Sequence, residues 1–270
     1  MRVDVLLRKY NNVKVLDENE NVLVSDLSCG IYLKDIIYVN GGNENLGFTN
    51  LVSDLIGTFS SGEIESNIEF KPFLIHSGFD FFDNFRADNI LLNIIKLSPH
   101  PVKSKEILNM RASLGLENKI IKKFNLEEKI LFHILLGFAG GFRIFVLEDV
   151  FMENSRTNAR LLELIQKFSE FSTFIIRTYQ DRIPDLVNKV IFFNNENRFI
   201  QSVELSKTTL VELTLSKSIN LKKYYIKDSK ALVSVDKVNE LKAFLDKSGV
   251  KVLNQIEKTP TAEELIYCSK

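Results

Sequence analysis

Apolar residues in the first 70 positions occur in short runs separated by polar turns, a pattern that is typical of strands. A short apolar strand at 36–39 leads into a glycine-containing loop, and a helical pattern follows at 49–56. We expect strands of an antiparallel edge sheet at 1–7 and 13–24 around a polar turn at 17–21, then a turn at 60–62 and a further strand at 63–70.

Helical periodicity dominates after residue 88, and the second half alternates apolar strands with amphipathic helices. This alternation implies parallel βαβ units. The predicted helices are 89–97, 103–114, 126–138, 158–168 and 183–187, and the predicted strands are 143–147, 173–176 and 189–193.

The character of the sequence changes near Glu204. Residues 205–270 are rich in Lys, Leu and Val, with short strand-like and helix-like pieces. We therefore predict a core at 1–204, in which about 77–138 form a helical subdomain, followed by a small C-terminal α/β appendage at 205–270.

One apolar run, 130–147, is about as long as a short membrane span. His133, Arg143 and the pair Gly140-Gly141 interrupt it. These interruptions favour a buried helix, a turn and a buried strand over a span.

Composition excludes several classes of protein. The 270 residues include 45% hydrophobic and 26% charged residues, and 35 basic residues balance 35 acidic ones, so there is no basic excess for nucleic acid. Cys29 and Cys268 form neither a disulfide framework nor a metal-ligand spacing. The first ten residues lack a long apolar segment, so we expect no signal peptide and a cytoplasmic location.

The segment 42–49 has the spacing of a phosphate-binding P-loop, between a strand and a helix. Gly42, Asn45 and Gly47 fit the loop, and Thr49 supplies the hydroxyl residue. Phe48 stands where the lysine should be, and it offers neither charge nor hydrogen-bond donor.

Further segments follow at the spacing of a known family. They are Ser61-Gly62-Glu63-Ile64, His76 at the Q-loop position, 85–90, 124–128 at the signature position, the Walker B-like strand 144–149, the strand 175–179 that ends at the switch-histidine position, and the strand 187–193. Over 1–204 the chain resembles the nucleotide-binding domain of ABC transporters. The resemblance implies a P-loop NTPase-like α/β fold with an antiparallel edge sheet and a helical subdomain.

In that family, ATP hydrolysis requires a lysine on the phosphates, a hydroxyl and a carboxylate on Mg²⁺, a general base and a histidine near the γ-phosphate. Phe48 either removes phosphate neutralisation or packs over a loop that holds no phosphate. Thr49 either offers its hydroxyl to Mg²⁺ or begins the following helix.

The other catalytic positions are vestigial. Glu148 and Asp149 invert the family's Asp-Glu order, so Glu148 would be the metal-side carboxylate and Asp149 the base, each displaced by one methylene. His76 replaces a glutamine, and Tyr179 replaces the histidine and carries no positive charge at neutral pH. The spacing of Tyr10 fits the family's adenine-stacking aromatic residue only loosely.

At the signature position, Asn125, Glu127 and Glu128 replace residues whose helix start binds the partner's γ-phosphate. Asn125 and Glu128 have the spacing of a capping box, which would use the helix's own N–H groups. Glu127 and Glu128 would also place negative charge where phosphate should approach.

Two segments bear on partners. Phe79, Phe81, Phe82 and Phe85 follow the Q-loop position, where the family receives a coupling helix of the membrane subunit; they are either a docking surface or core residues. The segment 259–267 resembles the end of ATPases from drug- and peptide-resistance exporters.

We expect a catalytically degenerate ATPase subunit that acts as a structural or regulatory component of an ABC transporter. It would form a dimer and dock on a membrane permease or a second ABC ATPase, at the inner face of the membrane. The alternatives are a weak ATPase that uses Thr49, Glu148 and Asp149, and a soluble pseudo-ATPase scaffold unrelated to transport. We expect no tightly held cofactor or metal, and at most weak binding of ATP with Mg²⁺.

Overall fold

The computed structural model describes residues 5–41, 47–54, 58–67, 71–76, 84–98, 102–150, 155–177, 183–219, 221 and 224–268. The strands are β1 Leu6–Leu16, β2 Val22–Tyr32, β3 Ile36–Asn40, β4 Thr58–Ser66, β5 Pro72–His76, β6 Ile144–Glu148, β7 Thr173–Arg177, β8 Lys189–Phe193, β9 Phe199–Glu204, β10 Leu210–Leu215, β11 Tyr225–Lys227, β12 Lys230–Ser234 and β13 Val252–Lys258. The helices are α1 Gly47–Val52, α2 Ala87–Leu97, α3 Ser104–Ser113, α4 Leu126–Ala139, α5 Ser155–Phe168, α6 Val238–Lys247 and α7 Ala262–Cys268. The chain forms two compact units, 1–181 with 191–201, and 182–190 with 202–270.

The edge sheet of the first unit has the strand order β2-β1-β4, and both pairings are antiparallel. Its first turn forms because the Asp17 carboxylate accepts the backbone N–H groups of Asn19 and Asn21, each at 2.8 Å. The buried face of the sheet carries Leu7, Tyr10 and Val13, which belong to the main apolar cluster.

The second sheet has the order β5-β6-β7-β3-β8-β9, and β5, β6, β7 and β3 run parallel. Every residue of β6, β7 and β8 is buried, as expected when a parallel sheet is covered on both faces. Helix α5 connects the adjacent parallel strands β6 and β7, so the predicted βαβ unit is confirmed.

Helices α2, α3 and α4 confirm the helical pattern predicted between residues 89 and 138. The apolar run at 130–147 is divided into the buried part of α4, a turn in which Gly141 has φ +83°, and β6. Among the described helices, none has both the length and the apolar character needed to cross a membrane.

The second unit contains an antiparallel sheet in the order β11-β12-β10-β13. Leu241 and Leu245 of α6 pack with Val211, Leu213 and Val233 of the sheet. Helix α7 begins with a reciprocal cap, because Thr261 N–H donates to the Glu264 carboxylate at 2.9 Å and Glu264 N–H donates to the Thr261 hydroxyl at 3.2 Å.

Several local features differ from the prediction, among them the bounds of the first strands, since β1 runs without a break from Leu6 to Leu16. Strand β4 continues through the turn predicted at 60–62, because Gly62 takes φ +98° and accommodates the bulge that β1 forms opposite it, between Asn11 and Lys14. Residues 183–187 form a turn and not a helix, with Val187 N–H donating to Pro184 O at 3.2 Å. Strand β5 was missed because it has five residues and begins with a proline.

Candidate nucleotide-binding site

Three neighbouring parallel strands end in polar residues at one edge of the sheet. His76 ends β5, Glu148 ends β6 and Arg177 ends β7, and the three are aligned in register. Side chains at matching register in parallel strands lie on the same face of the sheet. Because the carboxyl edge of an open parallel sheet is where ligands bind, this is the candidate site.

Helix α1 brings Thr49 to this edge. The Thr49 hydroxyl donates to Glu148 Oε1 at 3.0 Å, and both side chains are buried, with Thr49 at 0% and Glu148 at 7% exposure. A hydroxyl and a carboxylate are the types of oxygen ligand that Mg²⁺ prefers. In this structure the two groups bind each other directly.

The electrostatics of Glu148 follow from its burial. Burial raises the pKa of the Glu148 carboxyl above its ordinary value. The hydrogen bond from Thr49 and the nearby charges of Arg177 and His76 act in the opposite direction without cancelling the effect of burial. Glu148 is therefore more easily protonated than an exposed glutamate.

Asp149, the candidate base, is held through its backbone. It takes φ +49°, in the left-handed region that aspartate tolerates better than most residues. Its N–H donates to Arg177 O at 2.8 Å, which fixes the end of β6 to the end of β7.

Phe48 lies in the apolar core and not on an open loop. Its side chain is 4% exposed, and its ring centre lies 5.5 Å from that of Phe193 and 6.4 Å from that of Tyr10. Of the two interpretations of Phe48, these contacts favour the packing role. Tyr10 is 1% exposed, and burial raises its pKa, so its ring has no free face for stacking on adenine.

Sequence reasoning missed an ion pair that holds the end of α1. Arg8 of β1 donates two hydrogen bonds to the Asp54 carboxylate, at 2.7 and 2.8 Å. Arg8 is 6% exposed, and Asp54 follows α1 with φ +59°. A bidentate pair fixes orientation as well as distance, so it fastens α1 to the edge sheet. Arg8 and Asp54 are 46 positions apart in sequence, and neither belongs to a motif, so no sequence signal pointed to the pair.

The helix start at the signature position is closed by its own side chains. Asn125 Oδ1 accepts the Glu128 N–H at 2.8 Å, and Glu128 Oε2 accepts the Asn125 N–H at 2.9 Å, which forms the predicted capping box. Each of the two carboxylates has a basic partner, because Lys119 pairs with Glu128 at 2.8 Å and Arg160 pairs with Glu127 at 3.1 Å. The N–H groups of Asn125 and Glu128 are therefore engaged within the helix start.

Several predicted site residues cannot be placed. Gly42, Asn45, Tyr179, Phe79, Phe81 and Phe82 lie outside the described residues. Phe85 is described, and its side chain is 57% exposed. Within the described ranges, no group of three or more His, Cys, Asp or Glu side chains could hold a metal ion.

The described residues fit ATP with Mg²⁺ only in part. Thr49 and Glu148 have the right donor chemistry for the metal. The Phe48 side chain has neither a charge nor a hydrogen-bond donor for the phosphates, and its ring packs against Tyr10 and Phe193. We therefore derive no hydrolytic step from this arrangement.

No family model matches the sequence, and no curated protein matches it. Several solved structures are similar to the fold of this chain. The ATP-binding cassette MJ0796, in a dimeric post-hydrolysis state bound to ADP and Pi, is 13% identical, with a TM-score of 0.59 over 73% of this chain and 98% of that one. A metal-chelate type ABC transporter in an inward-facing conformation is 14% identical, with a TM-score of 0.60 over 85% of this chain and 98% of that one.

The structure of cbiO1 from Clostridium perfringens, part of the ABC transporter complex cbiONQ, is 14% identical, with a TM-score of 0.61 over 74% of this chain and 89% of that one. At such low identities the likeness establishes the fold. The chain has the P-loop NTPase-like α/β fold of ABC ATP-binding cassettes, as the motif order predicted.

Replacing Phe48 with lysine tests whether the position is a packing site. We expect Phe48→Lys to lower the free energy of unfolding by about 4 kcal/mol, because it removes buried aromatic packing and introduces a buried ammonium group. Phe48→Leu should cost only about 1.5 kcal/mol. Urea unfolding followed by circular dichroism measures both values.

The matched control is Phe85→Lys, at a phenylalanine that is 57% exposed, which should change the free energy of unfolding by less than about 0.5 kcal/mol. A Phe48→Lys protein as stable as the wild type would contradict the packing role.

The raised pKa of Glu148 predicts a pH-dependent effect of Glu148→Gln. A raised pKa in the folded state stabilises the fold below the unfolded pKa, and this contribution is lost as pH rises through the folded pKa. Glutamine does not titrate. The stability of the variant relative to wild type should therefore rise as the pH increases above the ordinary pKa of glutamate, measured by urea unfolding over a pH series.

Glu65→Gln should show the opposite trend. The hydrogen bond from Lys9 lowers the pKa of the Glu65 carboxyl, so its stabilising effect grows as pH rises and is missing from the variant. Parallel pH curves for wild type and Glu148→Gln would contradict the assignment of Glu148.

Proposed function

We propose that this chain is a non-hydrolysing subunit with the fold of an ABC ATPase, which acts as a structural or regulatory component of an ABC transporter. The single observation that carries the proposal is the burial of Phe48 between Tyr10 and Phe193. The position that supplies the phosphate-binding charge in the working family is used here for core packing.

The state of the other site groups supports the same conclusion. The Thr49 hydroxyl and the Glu148 carboxylate are engaged with each other. The capping box at the start of α4 occupies the N–H groups of Asn125 and Glu128. In a dimer of cassettes, the P-loop of one chain faces the signature of the other, so both composite sites would lack ligand-binding groups. An intact partner ATPase would not restore them.

The exposure of Phe85 supports a role in contacts with a protein partner. Phe85 is 57% exposed and lies after the Q-loop position, where the resemblance places the groove for a coupling helix. We infer that Phe85, with Phe79, Phe81 and Phe82, docks on a membrane permease or a second ATPase at the cytoplasmic face of the membrane. The solved relative cbiO1 belongs to the complex cbiONQ, which supports this kind of assembly.

A weak ATPase is the second candidate, and one observation favours it. The Thr49 hydroxyl oxygen and Glu148 Oε1 lie 3.0 Å apart, and both are oxygen ligands of the kind that would hold a metal ion. Asp149, the next residue, would then be the base. A soluble scaffold unrelated to transport is the third candidate, and it predicts that no membrane protein co-purifies with the chain.

Calorimetry with Mg-ATP and Mg-ADP tests the proposal on the purified chain. We expect no saturable heat at millimolar nucleotide, because Phe48 supplies no charge at the position that holds the phosphates in the working family. A commercial ABC-type or other P-loop ATPase serves as the positive control for the nucleotide stocks.

Micromolar binding would contradict the proposal. If that binding came with hydrolysis that Thr49→Ala and Glu148→Gln both abolish, the weak ATPase would replace it. Hydrolysis that survives both substitutions would indicate a contaminating enzyme.

A further inference from the structure

Strand β13 forms one edge of the sheet in the second unit. It pairs antiparallel with β10, and within the described residues no strand pairs with its other side. The open side of an edge strand presents backbone N–H and C=O groups that can pair with another chain. An edge strand of seven residues is long enough for such pairing.

The hydrogen bonding of Gln255 indicates which amides face the open side. Gln255 N–H donates to the side-chain oxygen of its neighbour Asn254 at 2.9 Å, an acceptor that a backbone carbonyl of a partner strand would replace. Because successive residues of an antiparallel strand alternate between the two sides, the backbone groups of Glu257 also face outward. Gln255 and Glu257 therefore offer two sets of pairing groups, with Ile256 between them.

The irregular positions of β13 limit the part of the strand that can pair with a second chain, and one exposed apolar residue lies within that part. Ile256 is 46% exposed, although it lies in the middle of a strand. The register between β13 and β10 shifts between Asn254 and Val252. Pro260 lies beyond the other end of the strand. Regular pairing is thus confined to residues 254–258.

Charge favours a second copy of this chain as the partner strand. If a two-fold axis passes Ile256, Gln255 lies opposite Glu257 of the second copy, and Asn254 lies opposite Lys258. Lys242 of α6 donates to Gln255 Oε1 at 2.6 Å, so its ammonium group would meet the facing Glu257 carboxylate. Neither Lys242 nor Glu257 forms an ion pair with another described residue. No like charges face each other directly.

We propose that β13 is a homodimerisation edge, which pairs antiparallel with β13 of a second copy about a two-fold axis at Ile256. The pairing joins two four-stranded sheets into one of eight strands. It forms four backbone hydrogen bonds, buries the two Ile256 side chains against each other and creates two Lys242–Glu257 ion pairs. Identical surfaces meet in such a two-fold interface, so the assembly closes at two copies. This proposal does not depend on nucleotide binding.

Sedimentation velocity of the full chain over a concentration series tests the interface. The pairing is short, so we expect a reversible dimer that becomes dominant at about 100 µM protein. Ile256→Lys places two ammonium groups at the axis and should weaken the dimer by at least about tenfold. The matched control is Val235→Lys, at another apolar residue of the same unit that is 55% exposed, which should leave the dimer unchanged.

Charge reversal makes the test specific for the proposed register. Lys242→Glu and Glu257→Lys should each weaken the dimer, and the double variant should restore it because the ion pair forms in the opposite sense. Circular dichroism confirms that each variant is folded. A monomeric wild type at the highest concentration, a dimer that resists Ile256→Lys, or a double variant that is not rescued would overturn the proposal.

Discussion

The packing of Phe48 against Tyr10 and Phe193 is the interaction on which the first unit depends. It joins α1, the antiparallel edge sheet and β8 within one apolar cluster. The bidentate pair of Arg8 and Asp54 fastens the other end of α1 to the same edge sheet. The helix that would begin a nucleotide site is thereby fixed by core contacts at one end and by an ion pair at the other.

This constraint explains the state of the neighbouring polar groups. With α1 held in place, the Thr49 hydroxyl donates to Glu148 and so provides a buried carboxylate with a hydrogen bond. The same kind of internal satisfaction occurs at the start of α4, where Asn125 and Glu128 cap each other. At both places the polar groups are part of the protein's own hydrogen bonding.

Sequence reasoning captured what depends on periodicity and order. The buried strands β6 and β7 and the helix α4 are long, strongly patterned segments, and the capping box is a local motif. It did not find the pair of Arg8 and Asp54, which joins residues 46 positions apart, or the bulge of β1 opposite Gly62. Nor could it choose between the two roles of Phe48, because burial depends on Tyr10 and Phe193, which are distant in sequence.

Hydrogen exchange measured by mass spectrometry, on the amides of α1 with and without millimolar Mg-ATP, tests the central claim most directly. If Phe48 is a core residue and no nucleotide binds beside it, the exchange rates of α1 will be the same under both conditions. Slower exchange confined to α1 and to the end of β6 in Mg-ATP would show a working nucleotide site and contradict the account.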